Sequence, residues 1–258
     1  AVAIGTDYLF ELLRRTPHQQ SIIRAVAIVM LAVLSLPSLI SNAEHNNRHE
    51  NHIVPDFMDN MLKSVEPNAI LFMQSDVVSG GLEYAQVIGK RPDLILVDYN
   101  VMTLDPYAKN LKKFHPEIFD DNFISAKPEN KFNYLVNKML PTRPVYATFA
   151  PNTLDLKFGV IPLGVAFKIV PHETRLDMAK FSNLLDQLWN SYSMRGIKGK
   201  KYQDVLIQEF IPVYSYDRQI EGVFYLQGGY AEKAKNAFKE ALEINPENSE
   251  AAAYLKKI

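Results

Sequence analysis

The longest apolar segment of the chain covers residues 25–40 and contains no charged residue. Its 16 residues at about 1.5 Å each give a helix of about 24 Å, shorter than the hydrocarbon core of a bilayer at about 30 Å. We therefore predict a membrane helix in this segment. A helix buried in a protein core is the alternative, because soluble proteins also bury apolar helices of this length.

The residues on either side of this segment predict its orientation. Three arginines precede it, namely Arg14, Arg15 and Arg24, and a polar stretch rich in Asn and His follows it. Positive charge collects on the cytoplasmic side of membrane helices, so we expect residues 42–258 to be extracytoplasmic, in a periplasm or a lumen. Apolar positions within residues 1–13 are typical of the end of a preceding membrane helix. Residues 1–41 are thus predicted to end a helix hairpin of a larger membrane protein.

Short apolar runs bounded by turn residues predict an extracytoplasmic α/β domain over residues 42–175. Residues 69–73 and 94–97 are two such runs, and a helical stretch at about residues 82–88 separates them. Strand, helix and strand within about 30 residues form a βαβ unit, whose two strands are parallel. With a further buried strand at residues 145–149, the pattern predicts a small parallel, Rossmann-like sheet.

Four other stretches complete the prediction for this domain. Helical spacing predicts helices at residues 57–65 and 107–114, and an imperfect alternation predicts an edge hairpin at residues 158–170. The polar residues 120–131 predict a surface excursion.

Polar residues follow both strands of the predicted βαβ unit. Ligands of open α/β sheets bind at the carboxyl ends of the strands, and a glycine-containing turn lets the backbone approach an anion at a helix N-terminus. We therefore predict a candidate ligand rim that consists of Asp76, Ser79, Gly80, Gly81, Tyr84 and Asp98. The same residue types are common in caps and turns, and a purely structural role is the alternative.

The last region, residues 176–258, has the spacing of packed helices. Apolar residues at positions 178–192 recur with a helical period, which indicates a stripe that packs on a core. Further on, small and aromatic residues recur as in a tetratricopeptide (TPR) repeat: Gly222, Tyr225, Gly229, Ala234, Phe238, Ala241 and Pro246. About three such repeats are needed to build a binding groove, so the pattern predicts a TPR-type helical hairpin and says little about function.

Composition and motifs exclude several classes of function. A net charge of −1 lacks the basic excess of a nucleic-acid-binding protein, so no nucleic-acid partner is expected. The chain contains no cysteine, which excludes disulfides and thiolate catalysis, and it has no Walker loop, nucleophile elbow or zinc-protease motif. His45, His49 and His52 are weak candidates for metal ligands, and a solvated linker after the membrane is the alternative for them.

A longer series of residues in the predicted βαβ unit forms a pattern of its own: residues 67–72 (PNAILF), Asp76, Gly80, Tyr84, Gly89, Arg91, Pro92, Asp93, Leu96, Val97, Asp98, Met102, Thr103 and Tyr107. Together with residues 161–171 (IPLGVAFKIVP), this series resembles a block in a family of polytopic glycosyltransferases. The family includes the eukaryotic endoplasmic-reticulum protein O-mannosyltransferase of the transmembrane-260 type. Many of its bacterial members end in TPR-like helices.

The resemblance implies a C-type glycosyltransferase that uses a lipid-linked sugar donor. In such enzymes the catalytic acid lies in the first extracytoplasmic loop among the membrane helices, a region that would precede this chain. The chain is therefore expected to be an accessory region without catalytic residues or a cofactor of its own, with the membrane and a protein acceptor as partners. The parent enzyme would transfer mannose or a similar sugar to protein hydroxyls.

Two other functions remain open at this point. The chain is alternatively a membrane-anchored interaction module without enzymatic activity, in which the TPR-type hairpin binds a partner through apolar side chains at residues 224–238. A third possibility is a soluble α/β enzyme that uses Asp76 and Asp98.

Overall fold

The computed structural model describes residues 20–47, 49, 51–197 and 205–258, and the chain divides into two compact units, Ala1–Glu50 and Asn51–Ile258. In the first unit, helix α1 (Gln20–Asn46) confirms that the apolar segment is helical. Within the described parts of the chain, no helix is both long and apolar enough to cross a bilayer. The predicted end of a preceding helix in residues 1–13 lies outside the described residues.

Helix α1 presents large apolar side chains to its surroundings. Nine of them are substantially exposed: Ile28, Val29, Met30, Leu31, Val33, Leu34, Leu36, Leu39 and Ile40. An apolar surface of this extent is uncommon on a soluble protein and usually marks contact with lipid or with another protein.

The second unit is built on a five-stranded sheet with the strand order β2-β1-β3-β5-β4. Its strands are β1 (Ile70–Met73), β2 (Ile95–Asp98), β3 (Val145–Ala147), β4 (Phe158–Leu163) and β5 (Ala166–Pro171). Strand β1 is parallel to both β2 and β3, and the crossover helix α3 (Asp76–Val87) confirms the predicted βαβ unit. The sheet as a whole is mixed and not parallel, because the β4–β5 hairpin pairs β5 antiparallel to β3.

Both faces of the sheet are covered, which explains why β1 is apolar at every position. Ile70 and Phe72 belong to one hydrophobic cluster, whereas Leu71 and Met73 belong to the other. Successive side chains of a strand point to opposite faces, so a strand that is buried on both sides has no polar positions. The unit is therefore a three-layer α/β/α arrangement.

The first cluster packs beneath three helices that follow β2: α4 (Asp105–Phe114), α5 (Asp121–Ser125) and α6 (Lys131–Met139), with a short 3₁₀ turn at Pro128–Asn130. The predicted polar excursion at residues 120–131 is wrong in one respect, since Phe123 is fully buried there. Asp120 caps α5 by accepting a hydrogen bond from the backbone N–H of Phe123 at 2.9 Å. The polar residues of this segment thus hold a buried aromatic side chain in place.

The second cluster lies under helix α2 (Ile53–Ser64), helix α3 and the four C-terminal helices. These are α7 (Met178–Ser191), α8 (Val205–Gln227), α9 (Ala231–Ile244) and α10 (Ser249–Leu255). Helices α8 and α9 pack along each other, and Tyr225, Ala234, Phe238 and Ala241 are buried at the predicted packing positions. The predicted regions 42–175 and 176–258 therefore share one core within the second unit.

A buried carboxylate, that of Glu221 on α8, fastens these helices to the sheet. Its Oε1 accepts a hydrogen bond from the backbone N–H of Gly164 in the β4–β5 turn at 2.9 Å, and its Oε2 accepts one from the indole N–H of Trp189 on α7 at 2.6 Å. The guanidinium of Arg218 lies 2.6 Å from the same Oε2 and also binds Glu240 on α9 at 2.8 Å. We call this set of five residues the Glu221 network.

Residue 164 has to be glycine for the hydrogen bond between its backbone N–H and Glu221 to form. Its φ is +65°, and a Cβ atom there would lie 1.8 Å from the hydroxyl oxygen of Tyr192. Both the left-handed backbone and the lack of space exclude a side chain. Removing one partner of a buried, hydrogen-bonded charge typically costs about 3–5 kcal/mol.

Replacing Gly222 with alanine tests the contact between α8 and α9. A Cβ atom at this position would lie 2.6 Å from Cε1 of Phe238, whose ring is fully buried. We expect Gly222→Ala to lower the free energy of unfolding by about 1–3 kcal/mol, because overpacking forces the two helices apart. Chemical denaturation of the purified protein measures the change.

Gly80→Ala in helix α3 is the matched control for this substitution. A Cβ atom there has nothing within 4 Å, and alanine favours a helix more than glycine does, so no loss of stability is expected. Equal losses in the two variants would contradict the close packing of α8 on α9.

Candidate functional site

A cleft of about 570 Å³ opens at the carboxyl ends of the three parallel strands. Gln74, Tyr99 and Thr148 line it, and each is the first residue after one of the strands β1, β2 and β3. The backbone N–H of Gln74 donates a hydrogen bond to Oγ1 of Thr148 at 3.0 Å, which joins two of these strand ends. This edge is where ligands bind in open α/β sheets.

The other side of the cleft is formed by helix α8. Pro212, Val213, Tyr216 and Asp217 contribute to it, and Phe167 of β5 lines it from the sheet. Beside β3, Phe149 packs against the ring of Tyr99 with centroids 4.8 Å apart. The cleft therefore has aromatic walls and a small number of polar groups, as small-molecule sites commonly do.

Asp217 is the unusual residue of this cleft. Its side chain is 2% exposed, and its Oδ2 atom has no hydrogen-bond partner among the described residues. Burial raises the pKa of this carboxyl well above its ordinary value, and the nearby carboxylate of Glu221 raises it further. Buried polar groups are nearly always paired in native proteins, so an unpaired carboxyl that lines a cleft indicates a ligand position.

A strained residue lies at the same edge. Ser75 follows Gln74 and precedes helix α3, with a φ of +83°. Such a backbone is rare for a residue with a side chain, costs of the order of 1–3 kcal/mol, and is concentrated at functional sites. Ser75 turns the chain from β1 into α3 beside the cleft.

None of the six residues of the predicted rim lines this cleft. Helix α3 begins at Asp76, about six residues earlier than predicted, so Ser79, Gly80 and Gly81 lie inside the helix and not in a loop. The reason is that Val78, Leu82 and Ala85 form a buried helical face, which outweighs the low helix propensity of glycine.

The remaining residues of the predicted rim have visible structural contacts or face solvent. Asp98 Oδ1 accepts a hydrogen bond from the backbone N–H of Asn100 at 2.9 Å, and the Asp98 backbone N–H donates to the Tyr107 hydroxyl at 2.9 Å. Tyr84 and Asp76 are exposed. The cleft lies at the carboxyl edge where a ligand rim is predicted; two of its lining residues, Gln74 and Tyr99, are next to or near the predicted Asp76 and Asp98, and the others come from elsewhere in the chain.

Asp217 was missed because the sequence does not reveal which helix covers the strand ends. A weak signal exists: Asp217, Arg218 and Glu221 are three charged residues within a stretch rich in Tyr, Phe, Val and Ile. Charges at helical spacing in an apolar helix are expected to be buried and paired. Only the fold reveals that Arg218 pairs with Glu221 and leaves Asp217 unpaired.

The residues that carried the family resemblance are largely structural. The Arg91 guanidinium donates hydrogen bonds to the carbonyls of Leu62 and Val65 at 2.6 and 2.9 Å, where helix α2 ends. It also binds Asp93 at 2.9 Å, and Asp93 in turn accepts a hydrogen bond from the backbone N–H of Asn68 at 2.8 Å. The Arg91 guanidinium holds the pKa of the Asp93 carboxyl well below its usual range.

The histidine candidates do not form a metal centre in the described part of the chain, where no group of three or more His, Asp and Glu side chains is arranged to hold an ion. The side chain of His45 lies outside that part. His49 is exposed, and His52 precedes helix α2 without capping it through its side chain.

Comparisons with known proteins add no further constraint on the site. No protein-family model matches the sequence, and no solved structure matches the fold. The glycosyltransferase family therefore stays a prediction from the residues, and function has to be argued from the site itself.

Asp217→Asn isolates the effect of burying this carboxyl. Because burial raises its pKa in the folded state, the folded protein keeps the proton at pH values where the unfolded chain has released it. Stability from this group is thus fully present below the unfolded value of 3.8 and is lost as the pH rises towards the folded value. We expect Asp217→Asn to gain stability over the unchanged protein as the pH rises above about 4, by up to about 1.4 kcal/mol per pH unit.

Chemical denaturation at several pH values measures this difference. Asp105→Asn is the matched control, because the Asp105 side chain is 72% exposed and its substitution is expected to produce no such trend. A stability difference between Asp217→Asn and the unchanged protein that does not vary with pH would rule out the proposed protonation.

Proposed function

We propose that this chain is the extracytoplasmic accessory region of a membrane glycosyltransferase, and that the cleft at the carboxyl edge of its sheet positions the acceptor. The observation that carries the proposal is the cleft of about 570 Å³ with the buried, unpaired carboxyl of Asp217. The glycosyltransferase assignment rests on the resemblance of the βαβ unit and residues 161–171 to that family. The parent enzyme would transfer mannose or a similar sugar from a lipid-linked donor to protein hydroxyls.

The residue types in the cleft favour binding over catalysis. Among the described residues that line it there is no His, Lys or Arg, so it offers no cation to bind a phosphate or to stabilise the charge of a transferring phosphoryl group. The donor carries a phosphate, and a cleft whose only charged residue is an aspartate does not suit it. An acceptor without a negative charge suits this cleft better.

The enzyme that would use Asp76 and Asp98 has less support. Neither residue lines the cleft, and Asp98 caps the turn at Asn100. No nucleophile or metal set converges on the two aspartates in the described part of the chain.

Membrane attachment through α1 is part of the proposal. Its support is the exposed apolar surface of α1, on which Leu34 is 75% exposed and Val33 is 63% exposed. Lipid is a suitable environment for such a surface, because a helix satisfies its own backbone hydrogen bonds there. With Arg14, Arg15 and Arg24, which precede the apolar segment 25–40, on the cytoplasmic side, residues 42–258 would lie outside the cytoplasm.

The helices α8 and α9 are proposed to be a TPR-type hairpin that closes the core and does not bind a partner. The interaction-module alternative requires exposed apolar side chains at residues 224–238. Phe238 and Tyr225 are instead buried, and Phe224 packs on Phe181 of α7 with ring centroids 5.5 Å apart. That face is therefore occupied by the protein's own core.

Single cysteines test the membrane proposal, because the chain contains none of its own. Leu34 of α1 and Val87 of α3 are exposed to a similar degree, at 75% and 85%. In sealed cells treated with a membrane-impermeant maleimide, we expect Val87→Cys to be labelled and Leu34→Cys to be protected, because lipid keeps water and thiolate formation from the latter.

The labelling experiment has two informative failures. Equal labelling of both cysteines would contradict insertion of α1 in lipid. Labelling of Val87→Cys only after the cells are opened would contradict the extracytoplasmic location of the second unit.

A transfer assay tests the role of the cleft. Membranes that contain the protein are supplied with a polyprenyl-phosphate sugar and a protein acceptor, and the product is quantified. Ala150 lines the cleft and is exposed, so Ala150→Trp should fill the cleft without disturbing the core. We expect this variant to raise the KM for the acceptor about tenfold or more and to leave donor use unchanged.

Ala231→Trp is the control for this assay, since Ala231 is exposed at the start of α9 and does not line the cleft. Acceptor kinetics of Ala150→Trp that match those of Ala231→Trp and of the unchanged protein would refute acceptor handling by the cleft.

A further inference from the structure

We infer that the cleft binds a ligand through a primary ammonium group, which pairs with the carboxylate of Asp217 between aromatic walls. This inference rests on the proposed function in one respect, namely that the cleft is a ligand site. It adds the chemical class of the group that is recognised there.

The charge of the cleft points to a cation. Asp217 is the only charged residue among the described residues that line it, and its Oδ2 atom is unpaired. The guanidinium of the next residue in the chain, Arg218, pairs instead with Glu221 at 2.6 Å and with Glu240 at 2.8 Å. A buried carboxylate is costly unless a cation or hydrogen-bond donors satisfy it, and an ammonium supplies both the charge and three donors.

The aromatic side chains suit the same ligand. Tyr99, Phe149, Phe167 and Tyr216 line the cleft, and ring faces attract a cation through their quadrupoles. They also provide an apolar surface for a methylene stem, so an extended amine fits better than a compact, strongly hydrated metal ion. Gln74 and Thr148 add polar groups at the strand ends, where an amide backbone or a hydroxyl of the ligand would be held.

Other ligand classes match the cleft less well. A phosphate or carboxylate would meet Asp217 without any lining cation to compensate it. A neutral sugar would stack on the aromatic rings and could bond the protonated carboxyl of Asp217, but only an ammonium would also pair with the ionised carboxylate. The sugar is therefore the principal competitor to be tested against the amine.

Binding of an ammonium to Asp217 requires the ionised carboxyl, so affinity is expected to depend on pH. The titratable and charged side chains that act on Asp217 or line its cleft are Tyr99, Tyr192, Tyr214, Tyr216, Arg218 and Glu221. Burial and the Glu221 carboxylate raise the pKa of Asp217, so a larger fraction of the protein is competent to bind as the pH rises. The amine stays protonated up to about pH 10.

Titration calorimetry on the full chain in lipid nanodiscs tests the inference. The first probe is Nα-acetyl-lysine N-methylamide, and the second is the norleucine analogue, which differs only by the ammonium. Phosphoethanolamine offers the same ammonium as a lipid headgroup would, and methyl α-mannoside represents a neutral sugar.

We expect the lysine amide to bind and the norleucine amide not to bind detectably. Asp217→Asn should weaken the lysine amide roughly 10- to 100-fold, as for a lost hydrogen bond to a charged group, and Asp105→Asn should not. Tyr216→Leu, at a position that is 42% exposed and hence outside the core, should also weaken it. The affinity of the unchanged protein should rise with pH, because a larger fraction of Asp217 is then ionised.

The other outcomes separate this inference from the proposed function. Binding of phosphoethanolamine in place of the lysine amide would support the ammonium and assign it to a headgroup. Equal binding of the norleucine amide, or mannoside binding that survives Asp217→Asn, would overturn the ammonium and leave a ligand cleft in place. Absence of binding by every probe, with acceptor transfer still impaired in Ala150→Trp, would overturn the inference but not the acceptor role.

Discussion

The arrangement of the second unit depends on where the Glu221 carboxylate is held. Its two oxygens bind the β4–β5 turn and α7, while its guanidinium partner extends to α9, so one side chain fixes four elements. Burial raises the pKa of Glu221 to about 7, although Arg218 and the Trp189 indole act to lower it. The same register of α8 that buries Glu221 puts Asp217, one helical turn earlier, against the carboxyl ends of the strands. The position of Asp217 in the cleft thus follows from the hydrogen bonds that Glu221 makes on the same helix.

Two carboxyls on one helix illustrate the difference between a structural and a functional buried charge. Glu221 has three hydrogen-bonded partners, each within 2.9 Å, and is fully accounted for by the fold. Asp217 is also buried, yet its Oδ2 has no partner among the described residues, and the residue lines a cleft that can hold a ligand. The contrast matters because burial alone does not mark a site. What distinguishes Asp217 from Glu221 is an unsatisfied buried carboxyl oxygen in a residue that lines a cleft.

Much of the fold follows from local patterns in the sequence. The runs 69–73 and 94–97 are apolar at nearly every position because both faces of the sheet are covered, and their spacing leaves room for one crossover helix. The hairpin at residues 158–170 and the helix at residues 178–192 were predicted for similar reasons, and both are present. Helix and strand periods are short-range properties, so a single sequence carries them well.

The cleft could be predicted only in part. Its edge follows from the parallel strands, but the residues on it depend on where α3 begins and on which helix covers the strand ends. The start of α3 was predicted too late, because two glycines suggested a loop. Val78 and Leu82 are buried on one face of this segment, which is helical. The packing of α8 over the strand ends brings Gln74 and Asp217, which are far apart in sequence, to the same cleft, and no local pattern encodes that arrangement.

The hydrogen bonds of Arg91 stabilise the fold, so other proteins that share this residue need share only the fold. Arg91 donates a hydrogen bond to the end of α2, and Asp93 accepts one from the backbone N–H of Asn68 before β1. Neither residue lines the cleft. A protein that carries the same residues is expected to have the same connection between helix and sheet, but it need not bind the same ligand. Relatives recognised by this motif are thus expected to agree in architecture and to be free to diverge in specificity at Gln74, Tyr99 and Thr148.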